Sequence, residues 1–202
     1  HLRPRRQRQM CIRDRLQSEL INRNKILLLE PRRMAAKSIA HYLASLLNEP
    51  VGHTIGYRIK NDTKVSKQTR LEIITEGVLT RMLQDDPELI GIGTLIFDEF
   101  HERSLNADLS LMLSKEIQQS IRDDLKLLVM SATIDTNLIA NYLGNADIVS
   151  CPGRTHPVEV SYRKPTHAGY FGKERSQSVI SAIKELMQSS QGDILVFLPG
   201  IR

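Results

Sequence analysis

Short, fully apolar runs alternate along this chain with longer segments that carry apolar residues at helical spacing, and this alternation limits the folds open to it. The apolar runs predict strands over Ile26–Leu29, Leu71–Thr75, Thr94–Asp98, Leu125–Met130 and Ile148–Cys151. The helical spacing predicts helices over Arg32–Leu47, Gly77–Gln84, Asn106–Ser120 and Thr136–Leu143. Strands that are apolar throughout are typical of a parallel sheet buried on both faces. The sequence therefore predicts an α/β fold, a parallel sheet with helices on both faces.

A domain boundary is predicted near Pro152-Gly153, so that a first domain spans 25–152 and a second begins in 153–202. The second segment predicts a strand over Val158–Tyr162, a helix over Glu174–Ser189 and a strand over Asp193–Phe197. One strand–helix–strand unit cannot bury a closed core. We therefore expect 153–202 to be the truncated start of a second domain, with Arg163–Arg202 poorly anchored.

The net charge of +5 on these 202 residues is concentrated at one end. Residues 1–25 hold eight basic and two acidic side chains, which gives +6, so the remainder carries −1. We interpret residues 1–24 as a basic segment outside the domain, either a sequence artefact, which we favour, or a disordered arm. A claim of nucleic-acid binding must therefore rest on residues of the globular part.

Cysteine usage and hydropathy exclude several other classes of protein. Cys11 and Cys151 are too few for a disulfide framework or a cysteine metal site. No apolar run reaches the length of a membrane span, and the pattern of a signal peptide is absent. These features predict a cytoplasmic protein in a reducing compartment, with no membrane partner.

Two adjacent carboxylates, Asp98 and Glu99, follow directly after the apolar run of the third predicted strand. Ligands of open α/β sheets bind outside the carboxyl ends of the strands. Hydrolysis of a nucleoside triphosphate needs one group that holds Mg²⁺ and one that orients or deprotonates the attacking water. Asp98 and Glu99 can supply both, although a solvated strand end explains the dipeptide alone equally well.

Polar residues follow other predicted strands in the same way. Ser131 and Thr133 end the strand over Leu125–Met130 and can bond to His101 or to a backbone group. Arg32 and Arg33 begin a helix after Pro31, and a helix start favours phosphate. Thr75 and Gly77 follow the strand that begins at Leu71. Each feature alone is more often a cap or a turn, but all of them in this order indicate one site.

The ordered motifs PRRMAA (31–36), TEGVL (75–79), DEFH (98–101) and SAT (131–133) resemble those of DEAH-type superfamily 2 helicases. DEFHERSLNADL, with Phe in place of the usual Ala, resembles the bacterial HrpB group of ATP-dependent RNA helicases. GRTHPVEV (153–160) resembles the crossover into a second domain, and ILVFLPGI (194–201) resembles motif IV. The resemblance covers Lys25–Arg202. It implies a RecA-like first domain and the start of a second, ATP and Mg²⁺ as cofactors, and single-stranded RNA as partner.

The resemblance also implies roles for individual residues. Asp98 would hold Mg²⁺ through water, Glu99 would activate water, and His101 would couple the nucleotide site to the interdomain face. Ser131 and Thr133 would link hydrolysis to strand movement. The nucleic-acid backbone would be contacted by Arg32, Arg33, Thr75 and Gly77, and by Arg58 of the GYR segment. For Arg58 a solvated side chain on a surface strand is an equally good interpretation.

The phosphate-binding half of such a site is missing from the sequence. No G-x-x-x-x-G-K-[ST] loop occurs, and no glycine precedes Lys25. The regions of motifs V and VI are also absent. We therefore expect this chain alone to be inactive in ATP hydrolysis. The alternative is a non-catalytic module, derived from a helicase, that binds RNA or protein. RNA and DNA are not distinguished, because these contacts go to phosphates and sugars.

Overall fold

The computed structural model describes residues 24–132, 136–150, 157–162, 164, 173–189 and 192–198. The chain divides into two compact units, His1–Gly153 and Arg154–Arg202. The predictions that concern residues 1–23, Thr133 and Arg163 lie outside the described residues.

The first unit contains a sheet of six strands that is mostly parallel. The strands are β1 Lys25–Leu29, β2 Ile55–Ile59, β3 Asp62–Lys64, β4 Leu71–Ile74, β5 Ile92–Phe97 and β6 Lys126–Val129. Their spatial order is β3-β2-β4-β1-β5-β6. All neighbouring pairs are parallel except β2 and β3, which form an antiparallel hairpin. The predicted parallel sheet is therefore confirmed.

Helices cover the sheet close to where the apolar spacing predicted them. They are α1 Arg33–Leu46, α2 Glu76–Asp85, α3 Leu105–Ser120 and α4 Thr136–Tyr142, and α5 Lys173–Ser189 belongs to the second unit. A short 3₁₀ turn, Phe100–Glu102, follows β5. The side chain of Ser104 caps α3 by accepting a hydrogen bond from the amide of Ala107, 3.0 Å away.

The central strand β1 divides the apolar side chains between two cores. Leu27 and Leu29 point to a core that also contains buried residues of α2, α3 and α4. Ile26 and Leu28 point to the opposite core, which is closed by α1. Alternate residues of a strand face opposite sides of the sheet, and a strand buried on both sides must be apolar throughout. Helices on both faces are therefore confirmed.

The hairpin of β2 and β3 lies at one edge of the sheet and was not predicted as an element. Its sequence contains polar residues and a glycine, so no long apolar run marks it. Gly56 is required by close packing, because a Cβ there would collide with the carbonyl oxygen of Lys64. The hairpin places Arg58 level with the ends of the buried strands.

Three predicted strands are wrong. Within the described residues, 146–150, 157–162 and 193–198 form no strand, although strands were predicted over Ile148–Cys151, Val158–Tyr162 and Asp193–Phe197. An extended segment becomes a strand only when a neighbour pairs with its backbone, and the described residues supply none here. The predicted helix of this region is present as α5. Among the described helices, none is long and apolar enough to cross a membrane.

Candidate functional site

The ends of five strands lie level with one another along the carboxyl edge of the sheet. The strand register aligns Arg58 with Ile74, Ile74 with Leu29, Leu29 with Phe97, and Phe97 with Val129. Backbone hydrogen bonds continue this alignment beyond the strands, from Asp98 to Leu29 at 3.0 Å and from Met130 to Phe97 at 2.8 Å. The four motifs PRRMAA, TEGVL, DEFH and SAT each begin within three residues of this row. The sheet therefore brings the starts of these four motifs to one edge.

A tight turn places the carboxylates of Asp98 and Glu99 at the centre of this edge. The amide of Glu99 donates to Oδ1 of Asp98 at 2.8 Å. Glu99 itself has a left-handed backbone, with φ of 51°. This conformation is uncommon for a residue with a side chain, and it reverses the chain immediately after the strand. Both side chains are partly buried, so the turn holds them at the surface of the edge.

Phe100 anchors the turn to the core. Its side chain is 3% exposed and contacts the ring of Phe97 edge-on, with ring centroids 6.3 Å apart. Its amide donates to the carbonyl of Met130 at 3.1 Å, which ties the turn to the end of β6. The Phe that distinguishes DEFH from DEAH therefore adds buried aromatic area directly beneath the carboxylates.

His101 connects Glu99 to the segment after β6. Its Nε2 lies 3.4 Å from Oε2 of Glu99, and its Nδ1 accepts a hydrogen bond from the amide of Ala132 at 3.3 Å. A neutral imidazole that accepts at Nδ1 carries its proton at Nε2, so the ring can donate to the carboxylate. His101 is thus held between Glu99 and Ala132 of the SAT motif.

Among the described residues, the partner of His101 on this segment is a backbone amide. A hydroxyl of Ser131 or Thr133 was a candidate, but the backbone amide of Ala132, between them, makes the contact. Among the described residues, the hydroxyl of Ser131 is buried without a hydrogen-bond partner. Thr133 lies outside the described residues. A buried polar atom without a partner is rare in proteins, and a bound ligand or a water molecule would satisfy it.

The side chains at this edge fit Mg²⁺ that is also bound by water and by the phosphates of a nucleotide. The described residues contain no group of three or more His, Cys, Asp or Glu side chains that could hold a metal ion alone. Mg²⁺ in triphosphate sites is bound through one or two carboxylates, waters and the phosphates themselves. Asp98, with Ser131 beside the neighbouring strand end, suits that arrangement. No residues of the sequence form the glycine-rich cradle that would hold the triphosphate.

The two predicted arginines stand at the start of α1, beside the turn. Arg32 is the N-cap residue, and its Nη2 lies 3.0 Å from Oε1 of Glu102. Arg33 is the first helical residue and is exposed. A helix N-terminus carries partial positive charge and free amides, so both arginines add to a surface that favours anions.

Thr75 and Gly77 occupy the start of α2. Thr75 is the N-cap residue with an extended backbone, and its hydroxyl makes no capping hydrogen bond. Gly77 is exposed, and a Cβ added to it would have no heavy atom within 4 Å. Packing within the protein therefore does not explain a glycine here, whereas close approach of a ligand backbone would.

Arg58 is held by a buried carboxylate. Nε of Arg58 lies 2.6 Å from Oε2 of Glu72, whose other oxygen is 2.7 Å from Nζ of Lys25. Burial alone would raise the pKa of Glu72, but hydrogen bonds and charge from Arg58 and Lys25 outweigh it and lower the pKa below its ordinary value. The guanidinium of Arg58 is therefore fixed by an ion pair, while its side chain stays 38% exposed, so both interpretations of this residue remain open.

Three further hydrogen bonds, made by Asp62 and Ser104, were not found from the sequence. Asp62 accepts hydrogen bonds from Lys37 at 2.9 Å and from Tyr57 at 3.0 Å, which ties the hairpin to α1. Ser104 donates to Glu76 at 2.5 Å, which ties the DEFHERS segment to the start of α2.

A charged residue inside an apolar strand, such as Glu72, is a signal that could have been used to predict an ion pair, because buried carboxylates are normally paired.

A parallel sheet with helices on both faces, which carries carboxylates, hydroxyls and arginines on its carboxyl edge, defines a RecA-like domain. Residues 9–140 match the family described as DEAD/DEAH box helicase. This match covers more than half of the chain, so the chain belongs to the DEAD/DEAH box helicase family. The matched range begins inside the basic segment, which the sequence alone had placed outside the domain.

Relatives and solved structures agree with this assignment. The chain is 51% identical over 178 residues to the ATP-dependent RNA helicase HrpB of Escherichia coli K12, with 88% of this chain and 21% of that protein covered. It is 40% identical over 174 residues to E. coli HrpA, with 86% and 13% covered. A crystal structure of the E. coli DEAH/RHA helicase HrpB matches with a TM-score of 0.80 and 50% identity, covering 89% of this chain and 22% of that one.

These comparisons confirm the resemblance to DEAH-type helicases of the HrpB group and the RecA-like fold. The chain spans about a fifth of the length of its HrpB relative and less of E. coli HrpA. What the longer relatives do therefore applies to this chain only as a proposal.

Proposed function

We propose that residues 25–152 act as the first RecA-like domain of an ATP-dependent RNA helicase and that 153–202 begin the second. In this account hydrolysis of a nucleoside triphosphate is coupled to the opening of base-paired strands, in the cytoplasm. The observation that carries the proposal is the level row of five strand ends, which brings carboxylates, hydroxyls and arginines to one edge. The names of the relatives, ATP-dependent RNA helicases, support the same function.

The carboxylates divide the nucleotide chemistry between them. Mg²⁺ and ATP, when bound, supply the charge neutralisation and the phosphoryl group for the reaction. Asp98 would hold the metal through water, and Glu99 would accept the proton of the attacking water. His101 contacts Glu99 at 3.4 Å and so fixes the direction in which this carboxylate points. The amide of Ala132 on Nδ1 connects that geometry to the Ser131–Thr133 segment.

The 202-residue chain is expected to show no ATP hydrolysis by itself. Asp98 and Glu99 act on metal and water, but the backbone amides and lysine of a phosphate-binding loop are not in the sequence. A steady-state phosphate-release assay with Mg²⁺, ATP and single-stranded RNA tests this directly. Hydrolysis that is stimulated by RNA and abolished in Glu99→Gln would contradict the expectation.

Nucleic acid is proposed to lie across the same edge, over the starts of α1 and α2. Arg32 and Arg33 contact backbone phosphates there. Thr75 and Gly77 allow the strand to approach the backbone, and Arg58 contacts it from β2. The contacts are to phosphate and sugar, which suits a protein that moves along single strands of any sequence.

Binding of a short fluorescein-labelled oligouridylate, followed by fluorescence anisotropy, tests this interface. The Arg32→Gln/Arg33→Gln variant is expected to bind more weakly. The plot of log K against log salt has a negative slope, and its magnitude should decrease by about 0.7 for each phosphate that the variant no longer neutralises. The matched control is Arg81→Gln, because Arg81 is an exposed arginine of α2 whose partner, Asp85, is also exposed. Equal slopes for the two variants would contradict the proposed interface.

A non-catalytic RNA- or protein-binding module is the second candidate, and the missing phosphate cradle favours it. This candidate shares the arginine contacts but gives Asp98 and Glu99 no chemical role. A graft into an active relative separates the two, because only the enzyme account requires Glu99 for turnover there.

A further inference from the structure

Two side chains of the DEFHERS segment contact the two proposed nucleic-acid segments. Glu102, at the end of the 3₁₀ turn, lies 3.0 Å from Nη2 of Arg32 at the start of α1. Ser104, two residues later, donates to Oε2 of Glu76 at the start of α2, at 2.5 Å. The segment begins with Asp98 and Glu99, which are proposed to act on the nucleotide, and it ends on the surface proposed for nucleic acid.

The Arg32–Glu102 pair is exposed enough to exchange. The side chain of Arg32 is 71% exposed and that of Glu102 is 33% exposed. Ion pairs of this kind contribute little to stability, because water and salt compete for both partners. A guanidinium binds carboxylate and phosphate through the same arrangement of N–H donors, so a phosphate can take the place of the carboxylate.

We propose that Glu102 is a positioning residue that stands in for a nucleic-acid phosphate on Arg32. When nucleic acid is absent, the Glu102 carboxylate holds the arginine at the edge of the sheet. When a single strand binds, one of its phosphates displaces Glu102 from Arg32. This inference rests on the proposed function, in which Arg32 contacts the backbone.

The exchange bears directly on the nucleotide carboxylates because Glu102 belongs to their turn. The amide of Glu102 donates to the carbonyl of Glu99 at 2.9 Å. The other end of the segment stays attached through Ser104 and Glu76. Release of Glu102 therefore changes the restraint on a turn whose opposite end carries Glu99 and His101.

A double-mutant cycle on the whole 202-residue chain tests the exchange. Binding of the labelled oligouridylate is measured for the wild type, Glu102→Gln, Arg32→Gln and the double variant. We expect Glu102→Gln to tighten binding about two- to fivefold, the range typical of exposed ion pairs. In the Arg32→Gln background the same change should have no effect, because the competed arginine is gone.

Three controls separate this result from simpler causes. Glu116→Gln removes the same charge from an exposed position near the far end of α3 and should leave binding unchanged. The slope of log K against log salt should be steeper in Glu102→Gln than in the wild type, which a purely structural role would not produce. Thermal unfolding should show equal melting temperatures for Glu102→Gln and the wild type.

The outcomes distinguish the inference from the function on which it rests. If the wild type binds RNA, Arg32→Gln weakens binding and Glu102→Gln changes nothing, the exchange is overturned and the function stands. The exchange is also overturned if Glu102→Gln tightens binding equally in both backgrounds, since the effect is then one of general charge. If Arg32→Gln binds RNA as the wild type does, both the interface and the exchange fail. The cycle needs no contribution from residues 1–24, whose basic charge is common to all four proteins.

Discussion

Glu72 illustrates how one charged residue can organise an apolar sheet. It lies in β4 between the buried residues Leu71 and Ile73, and its side chain is 2% exposed. Its two oxygens are paired with Arg58 on β2 and Lys25 on β1, so the carboxylate links three neighbouring strands. Burying a carboxylate is costly unless it is paired, and the two cations offset that cost here.

Substitution Glu72→Gln should destabilise the protein. The change leaves two partly buried cations without their counter-charge, and we expect the free energy of unfolding to fall by about 2 kcal/mol. Urea denaturation followed by circular dichroism measures this. Glu88→Gln, at an exposed position, is the control and should stay within about 0.5 kcal/mol of the wild type. Equal urea midpoints for Glu72→Gln and Glu88→Gln would show that the ion pairs of Glu72 do not stabilise the sheet.

The same carboxylate predicts acid sensitivity. The pKa of Glu72 is lower in the folded protein than its ordinary value of 4.5. A lowered pKa means that the unfolded chain binds protons first, so the stabilisation is present above pH 4.5 and is lost as the pH falls below it. Urea midpoints of the wild type should therefore decrease below that pH, and those of Glu72→Gln should decrease less. If the urea midpoints of the two proteins decrease by the same amount below that pH, Glu72 is not the source of the acid sensitivity.

Among the strands and helices, the sequence predicted those that a run or period of apolar residues marks. It missed the hairpin of β2 and β3, which depends on strand pairing. The strands β1, β4, β5 and β6 and the helices α1 to α5 carry apolar runs or periods that identify them. The hairpin of β2 and β3 carries no such run, and it forms because Gly56 permits close contact with β3. Asp98 and Glu99 were predictable because a strand end in an open sheet fixes their place. The contacts of Glu102, Ser104 and Glu72 were not, because they join residues far apart in the chain.

Two glycines of the edge should respond to alanine in opposite ways. Gly56→Ala should destabilise the protein by about 1–3 kcal/mol, because its Cβ would overlap β3 and approach Val65 to 2.9 Å.

A Cβ at Gly77 would lie in open space, so Gly77→Ala should stabilise α2 by up to about 1 kcal/mol. If nucleic acid approaches Gly77 closely, the same variant should bind the oligouridylate more weakly. A stable Gly77→Ala variant with unchanged RNA affinity would remove Gly77 from the interface.

At the scale of the whole molecule, the two units differ in how their backbones are held. The first unit contains a continuous sheet of six strands. In the second, α5 is formed, but residues 193–198 pair with no strand among the described residues. The sequence predicted a strand there because its composition is apolar, but composition cannot supply a partner strand.

Hydrogen exchange should reveal this difference. Amides of β1 and β5 should be strongly protected, because both strands are hydrogen-bonded within a buried sheet. Amides of Asp193–Phe197 should exchange rapidly in the 202-residue chain. Exchange monitored by mass spectrometry on peptides from both regions provides the comparison, and strong protection over 193–197 would show that this segment has a partner.

In the proposed function, the carboxyl edge of this sheet carries the water-activating half of an RNA-dependent ATPase. The most direct test replaces the matching segment of E. coli HrpB with residues 24–150 of this chain, so that the relative supplies the remaining parts. The graft is predicted to hydrolyse ATP with stimulation by RNA, and Glu99→Gln in the graft should lower turnover by about 10²–10⁴-fold, as expected when a general base is removed. A folded graft in which Glu99→Gln turns over as fast as its parent would contradict the claim.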